Sequence, residues 1–477
     1  MDYLVANGEH FQNIVIGSGP GGSVTAAFLA EAGHEVLILE QGQDRALESL
    51  VPFGPLEMTE KYRNGGLTVA FGNPRVSYVE GQCVGGGSEV NSGLYFAPPG
   101  NRLAHWADVF GVKDTSGIQS AAMQVEKDLQ IQFLPGSASA ASLKLANGAV
   151  SLGWAVQEVP RWYTYDQKGI AHKQSMSQTY LPRALEAGAQ VRSGVRVVGL
   201  RRNSKGWEVM LRVPDEPDLR LLSAEYVFLC AGAIQSAALI RRSGLSRLAG
   251  RSLFMHPSIK VTALFDEDVN SIKSCVPVHQ VKEFAPQISL GGSISQPHHL
   301  RLALMDNPQG DSIVSAHWRS MATYYAMTAE GNGSVTPVPF FDDPFVKYQV
   351  GERGQARLRE GLEHLCECLF AAGARTLFPS VTGAPPIRNL DEARRLSRTI
   401  PVRDMRLMTI HLMGSCPMGE DPSSSAVDSF GRVHGQAGLY VNDASTLPSA
   451  LGVNPQGTVM AVAMRNVLNF LERFLVA

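Results

Sequence analysis

The sequence predicts an α/β protein in which a parallel sheet covered by helices is interrupted by an inserted antiparallel-sheet α+β domain. Three observations predict it. Residues 11–40 read as strand, glycine turn, helix and second strand; residues 226–242 form another strand-to-helix junction; from Ile259 to about Thr336 the pattern changes to repeated short β runs.

In the first unit, Gln12, Asn13, Ile14, Val15 and Ile16 suit a buried parallel strand. Gly17, Gly19 and Gly22 then match G-x-G-x-x-G ahead of a helical run over 23–30. Such glycines let the backbone turn sharply, let a pyrophosphate approach the chain, and let the helix pack close to the strand. The unpaired N–H groups and dipole of the helix N-terminus favour negative charge there. After the stop Ala32, Gly33, His34, a second strand over 35–39 ends in Glu40. That acid lies 18 positions (40 − 22) beyond Gly22, where a ribose-binding carboxylate belongs in a dinucleotide fold. Glu40 would repel a 2′-phosphate and no arginine follows immediately, so NADP is disfavoured and FAD or NAD remain.

With 477 residues, a formal net charge of −2 and 44% hydrophobic content, the chain is expected to be soluble and globular, with roughly two to four domains. Near-neutral charge supplies no basic field for nucleic acid. No apolar run approaches the ~20 residues that span a bilayer. The start, MDYLVANGEH, lacks a basic segment followed by an apolar one, so a cytoplasmic protein is expected. The six cysteines, Cys83, Cys230, Cys275, Cys366, Cys368 and Cys416, are scattered without C-x-x-C, which argues against disulfides and against a metal site. Cys366 and Cys368 read as small apolar helix residues on different faces, and His298 and His299 as loop residues.

Farther along, residues 48–74 read as irregular chain wrapping the nucleotide unit. GQCVGGGSEVNSG (81–93) makes a poor helix or strand; it reads as a flexible loop or as backbone that lets a planar ligand lie close. Helices are expected over 117–130, 139–152, 175–187 and 234–242, short strands around Gly194, and antiparallel strands over 207–211 and 220–229. The aromatic run Arg161, Trp162, Tyr163, Thr164, Tyr165 reads as a pocket lining or as packing beneath a lid. In the inserted domain the β runs are 259–265, 300–305, 313–318 and 321–327, closed by a helix over 357–372. Residues 438–443 read as a buried strand ending in Asp443, and a helix over 459–474 ends the chain.

Four separated pieces resemble one family, the glucose-methanol-choline (GMC) flavin oxidoreductases: GSGPGGSVTAAFLAEAGHEVLILEQG (17–42), VGGGSEVNSG (84–93), HLMGSCPMG (411–419) and GLYVNDASTLPSALGVNPQGTVMAVA (438–463), in the family's order. CAGAIQSAALIRRSG (230–244) and GRSLFMHP (250–257) are weaker echoes. The resemblance implies a Rossmann-like FAD-binding domain in three parts, 1–98, 171–257 and 406–477, with a substrate or lid segment at 99–170 and a substrate-binding domain at 258–405. It implies Gly17, Gly19 and Gly22 at the pyrophosphate, Glu40 on the adenosine ribose, Val195 near the adenine and Asn91 near the flavin. Asp443 is implied at the pyrophosphate or ribityl region, with Gly86, Ser88 and Pro455 also at the cofactor. Val90 stands where some members carry a flavin-linked histidine, so noncovalent FAD is implied. His411 resembles the catalytic histidine, and Asn454, 43 positions on (454 − 411), resembles its partner.

The chemistry implied is oxidation of an alcohol to an aldehyde or ketone, with a small-molecule alcohol and oxygen or another electron acceptor as partners and no metal. An alcohol C–H is a poor hydride donor until its O–H proton begins to leave. A base beside that carbon typically contributes about a hundred- to ten-thousandfold. Histidine, with an ordinary pKa near 6.5, suits the task, and the Asn454 carboxamide suits holding the hydroxyl in line. Taken alone, His411 in its apolar context reads as a structural histidine; the surrounding motif reverses that reading. A lyase that keeps the flavin as scaffold is the competing reading, and a flavin-binding protein without turnover is disfavoured because His411 and Asn454 are both present.

Overall fold

The computed structural model describes residues 7–44, 50–274 and 276–475; Cys275 and the beginning of the 48–74 stretch lie outside them. Two sheets organise the chain. In the first, of seven strands, His10–Ile16 runs parallel to Val36–Leu39 on one side and to Arg220–Leu229 on the other. Gln190–Arg192 extends one flank in parallel, and Leu439–Val441 pairs in parallel with the end of Arg220–Leu229. The beginning of that long strand pairs instead with Gly206–Arg212, which pairs with Arg196–Asn203. Ile14, Val15, Leu37 and Ile38 are fully buried, as strands covered on both faces require. Because these strands are parallel, the turns after Ile16, Leu39, Leu229 and Val441 gather at one edge, where ligands bind in such sheets. This is the Rossmann-like α/β architecture expected.

The second sheet has nine strands, in the order Thr68–Ala70, Val76–Tyr78, Leu407–Thr409, Ser258–Leu264, Met321–Thr328, Ile288–Gly292, His279–Val281 and Val156–Glu158, with Thr376–Pro379 also on Ser258–Leu264. The helix Gly351–Ala371 packs on one of its faces, burying Leu362 and Leu365 in one cluster with Ile259, Tyr324 and Ala326. The sheet cuts across the expected boundaries. Thr68–Tyr78 and Leu407–Thr409 fall within 1–98 and 406–477, yet they hydrogen-bond into this sheet.

Several local expectations are corrected. The runs 300–305 and 313–318 are helical, lying in or overlapping Pro297–Ala303 and Gly310–His317. Leu300, Leu304 and Val314 bury a helical stripe against Met321 and Phe378, and a short apolar run does not by itself distinguish strand from helix. His298 and His299 therefore sit in the first turn of a helix, with ring centroids 4.2 Å apart. The 48–74 stretch holds the helix Pro55–Lys61 and the strand Thr68–Ala70. The helix over 175–187 is divided into a single turn, Met176–Gln178, and a helix, Tyr180–Glu186. Trp162 is buried, and Tyr163–Tyr165 forms a two-stranded ribbon with Ala171–Lys173. The five described cysteines are free and buried. No helix of the described residues is long and apolar enough to cross a membrane.

Candidate functional site

The site begins at the first glycine turn. Gly17 has φ +102°, and a Cβ there would strike the Cys230 carbonyl on the neighbouring strand end; a Cβ on Gly22 would strike the Gly17 carbonyl. The first helix, Pro20–Glu31, is capped by Gly19 with no side chain across its N-terminus and no acid in its first turn. Its N–H groups are therefore free for an anion. The second glycine turn lies directly against it: a Cβ on Gly86 would come within 2.8 Å of Gly19 Cα, and Gly85 N donates to Ser18 Oγ at 3.0 Å. Two bare backbone turns facing each other beside a helix N-terminus fit a dinucleotide pyrophosphate.

Glu40 is buried beside them. Its Oε2 accepts from Ser18 N (3.0 Å) and Ser18 Oγ (2.7 Å), and its Oε1 from Gly42 N (2.8 Å). Burial pushes this carboxyl up, and those hydrogen bonds oppose the shift. Val195 N donates to Glu40 O at 3.0 Å, so Gly17, Gly19, Gly22, Glu40 and Val195 form one cluster.

Several of the remaining predicted residues fasten the surrounding turns and loops. Ser88 Oγ donates to Gly85 O (2.7 Å) and accepts from Met176 N (2.9 Å), fixing the glycine turn. Asn91 Nδ2 donates to Gln456 Oε1 at 2.6 Å, tying this loop to the head of the C-terminal helix, Gln456–Leu475, just after Pro455. Lys173, lowered to about 8 by burial, donates to the carbonyls of Glu89 and Asn91. Asp443 accepts four hydrogen bonds, from Gly232 N, Ser236 Oγ, Ser445 N and Ser445 Oγ. Its oxygens clamp two turns together. The Val90 side chain is buried, and its carbonyl accepts from Tyr62 Oη.

His411 follows the strand Leu407–Thr409, and its backbone N–H donates to Thr409 Oγ1 at 3.1 Å. Its Nδ1 lies 2.9 Å from His256 Nδ1, and His256 Nε2 accepts from Gly452 N at 3.0 Å. This chain fixes the tautomers. An accepting Nε2 leaves the His256 proton on Nδ1, which donates to His411 Nδ1; neutral His411 then carries its own proton on Nε2, the ring edge with no hydrogen-bond partner among the described residues. Burial and the Lys282 charge lower His411 to about 4, not the ordinary value expected. Burial holds His256 well below the ordinary range too. Asn454 is partly exposed, with its side chain free of hydrogen bonds among the described residues, two residues beyond the Gly452 that holds His256. His256 and Lys282 were not singled out from sequence. GRSLFMHP carried the first, and nothing local carried the second.

Both the sequence and the fold match known proteins. Residues 58–258 and 335–463 match the family description GMC oxidoreductase, and residues 15–46 match a NAD(P)-binding Rossmann-like domain. A GMC-type oxidoreductase of Sinorhizobium fredii is 36% identical, covering 95% of this chain and 93% of its own length. The long-chain-alcohol oxidase FAO4A of Arabidopsis thaliana is 25% identical over 96% of this chain and 68% of that protein. Among solved structures, pyridoxine 4-oxidase from Mesorbium loti has a TM-score of 0.74 at 18% identity, covering 97% of this chain and 99% of that one. A formate oxidase has a TM-score of 0.77 at 15% identity, covering 99% of this chain and all (100%) of the other. At these identities the two structures speak to the fold alone. Two family matches spread over most of the chain and a relative aligned nearly end to end make this protein an oxidoreductase of the GMC family.

Proposed function

We propose that the protein binds FAD noncovalently and oxidises an alcohol to an aldehyde or ketone, with His411 taking the hydroxyl proton. The observation that carries this is the open Nε2 edge of a buried His411, joined through His256 to the turn that bears Asn454. Bound FAD supplies the hydride acceptor. Gly17, Gly19, Gly22 and Gly86 admit its pyrophosphate, Glu40 and Val195 frame the adenosine end, and Asn91 and Pro455 border the flavin end. Ser88 and Asp443 act by holding the turns. Asn454 holds the hydroxyl toward His411. Noncovalent binding is favoured by Val90, which offers no nucleophile. Alcohol oxidation is favoured over other redox chemistry by relatives named long-chain-alcohol oxidase.

To accept a proton at Nε2, His411 must first hold its own on Nδ1. The His256–His411 hydrogen bond then reverses and the His256 proton moves to Nε2, where it faces the Gly452 N–H, so the Gly452 contact is lost in the proton step. Anaerobic mixing with a panel of alcohols tests the reading: bleaching of the flavin is expected, and reoxidation on admitting air identifies oxygen as an acceptor. A flavin that stays yellow while substrate is consumed points to a non-redox reaction and overturns the proposal.

A further inference from the structure

Part of one face of the nine-stranded sheet is polar and carries two lysines; farther along the same face Leu264 stands opposite Met321 in an apolar cluster. In the sheet register Lys260 stands opposite Tyr325, Tyr325 opposite Gly291, Gly291 opposite Gln280, and Gln280 opposite Gln157. These side chains share a face. The neighbouring row on that face holds Ser258, Met327 and Ser289, and Lys282 Nζ reaches Ser289 Oγ at 3.2 Å. Successive same-face rows lie about 7 Å apart, and neighbouring strands about 4.8 Å apart. His256 precedes Ser258 by two residues, so the rows step away from the histidine pair, Lys282 in the nearer row and Lys260 in the farther. Lys282 also lies over the Phe96 ring at 4.7 Å, and the Phe96 carbonyl abuts Gly457 in the first turn of the C-terminal helix. Its charge is felt by both histidines.

Neither lysine forms an ion pair among the described residues, and these rows contain no Asp or Glu. Both lie deep in the protein while keeping part of their surface open. Burial lowers each to about 8, which leaves both cationic at neutral pH. Tyr325 Oη, which accepts from Gln280 Nε2 at 3.2 Å, occupies the space over Gly291 where a Cβ would sit. The other end of the Gln280 carboxamide is enclosed and unpaired. A cation deep in a protein is costly without a counter-charge. Here the described residues supply none.

We propose that this face is the specificity wall of the site and takes an anionic group, carboxylate or phosphate, carried by the alcohol whose hydroxyl meets His411. This rests on the oxidation reading above. The favoured substrates are hydroxy acids or phosphate-bearing alcohols, in preference to cationic or wholly apolar alcohols.

The test mixes FAD-loaded protein anaerobically with ω-hydroxycarboxylates of increasing chain length. Each is paired with its methyl ester, the matching ω-hydroxyalkyl phosphate and the matching amino alcohol. At the best length an anion is expected to show a KM at least about tenfold below the ester, and the better of acid and phosphate names the group. In Lys260→Met and Lys282→Met that preference for anion over ester should fall about tenfold or more. Equal KM for anion and ester at every length in the unaltered protein overturns the proposal, whether or not the variants fold. A ladder of non-oxidisable alkanoates gives a readout without turnover, through the visible band of the flavin. If no alcohol reduces the flavin but alkanoates bind in a lysine-dependent way, the anion site stands and the oxidation reading falls. Flavin reduction without anion preference or alkanoate binding overturns the anion site alone.

Discussion

Glu40→Gln isolates the adenosine end of the site. A carboxylate offers about four lone-pair positions, and three are filled here, by Ser18 N, Ser18 Oγ and Gly42 N. The open one is on Oε1, so Glu40 can accept one ribose hydroxyl and not two. A hydrogen bond to a charged group contributes about 1.5–3 kcal/mol, which corresponds to a roughly ten- to hundredfold change in Kd. With glutamine the amide oxygen keeps the Ser18 side, and the NH2 turns toward the Gly42 N–H, where two donors meet. FAD titrated into deflavinated protein, followed by flavin fluorescence, should bind more weakly by that factor. Once saturated, the variant should reduce its flavin at the normal rate, since Glu40 is remote from His411 in the hydrogen-bond network. Unchanged FAD affinity combined with a lower Tm would refute the reasoning and leave Glu40 as a fastener of the Ser18 turn.

Acid precipitation should release the flavin into the supernatant as FAD; colour retained in the pellet contradicts the noncovalent reading drawn from Val90. Asn454→Ala should slow flavin reduction by about tenfold, the effect of one lost positioning hydrogen bond, while FAD stays bound; stopped-flow reduction at saturating alcohol measures it. Because His411 is lowered to about 4, it is neutral above that value. Flavin reduction should stay level down to roughly pH 5 and fall as the ring is protonated near 4. A limb centred near 6.5 would show that the ring is neither so buried nor so close to Lys282.

The parallel half of the fold was legible because its determinants are local. Gly17, Gly19, Gly22 and Glu40 sit within thirty positions of one another, and each has a backbone reason to be what it is. The sheet in the second half was less so. Leu300 and Val314 look the same to a periodicity argument whether they line a strand or a helix, and of the partners that decide it, Phe378 is distant in sequence. Asp443 and Ser88 were placed at the cofactor by the family resemblance. In the fold their oxygens hold turns that converge only in three dimensions. His256 lies 155 positions from His411, and its role depends on which ring nitrogen meets Gly452, a fact that no spacing records.

His411→Gln separates a proton acceptor from a hydrogen-bond donor. The resting tautomers aim an N–H outward from His411, and inversion sets His256 N–H against Gly452 N–H, a donor facing a donor at 3.0 Å. That mismatch costs about 1–3 kcal/mol, the range for a buried group left unsatisfied. A glutamine amide can present an N–H near the position of the histidine Nε2, but it cannot take up a proton near neutrality. If His411 is the base, His411→Ala and His411→Gln should both reduce their flavin at least about a hundredfold more slowly than the unaltered protein, keep FAD bound, and lose the acid limb near 4. If the ring only steadies the substrate oxygen through its N–H, glutamine should recover most of the rate that alanine loses. Flavin reduction by His411→Gln within a few-fold of normal would remove the base role and leave the resting tautomer as the working one; His256 and Gly452 would then serve to keep the His411 proton on its outer edge.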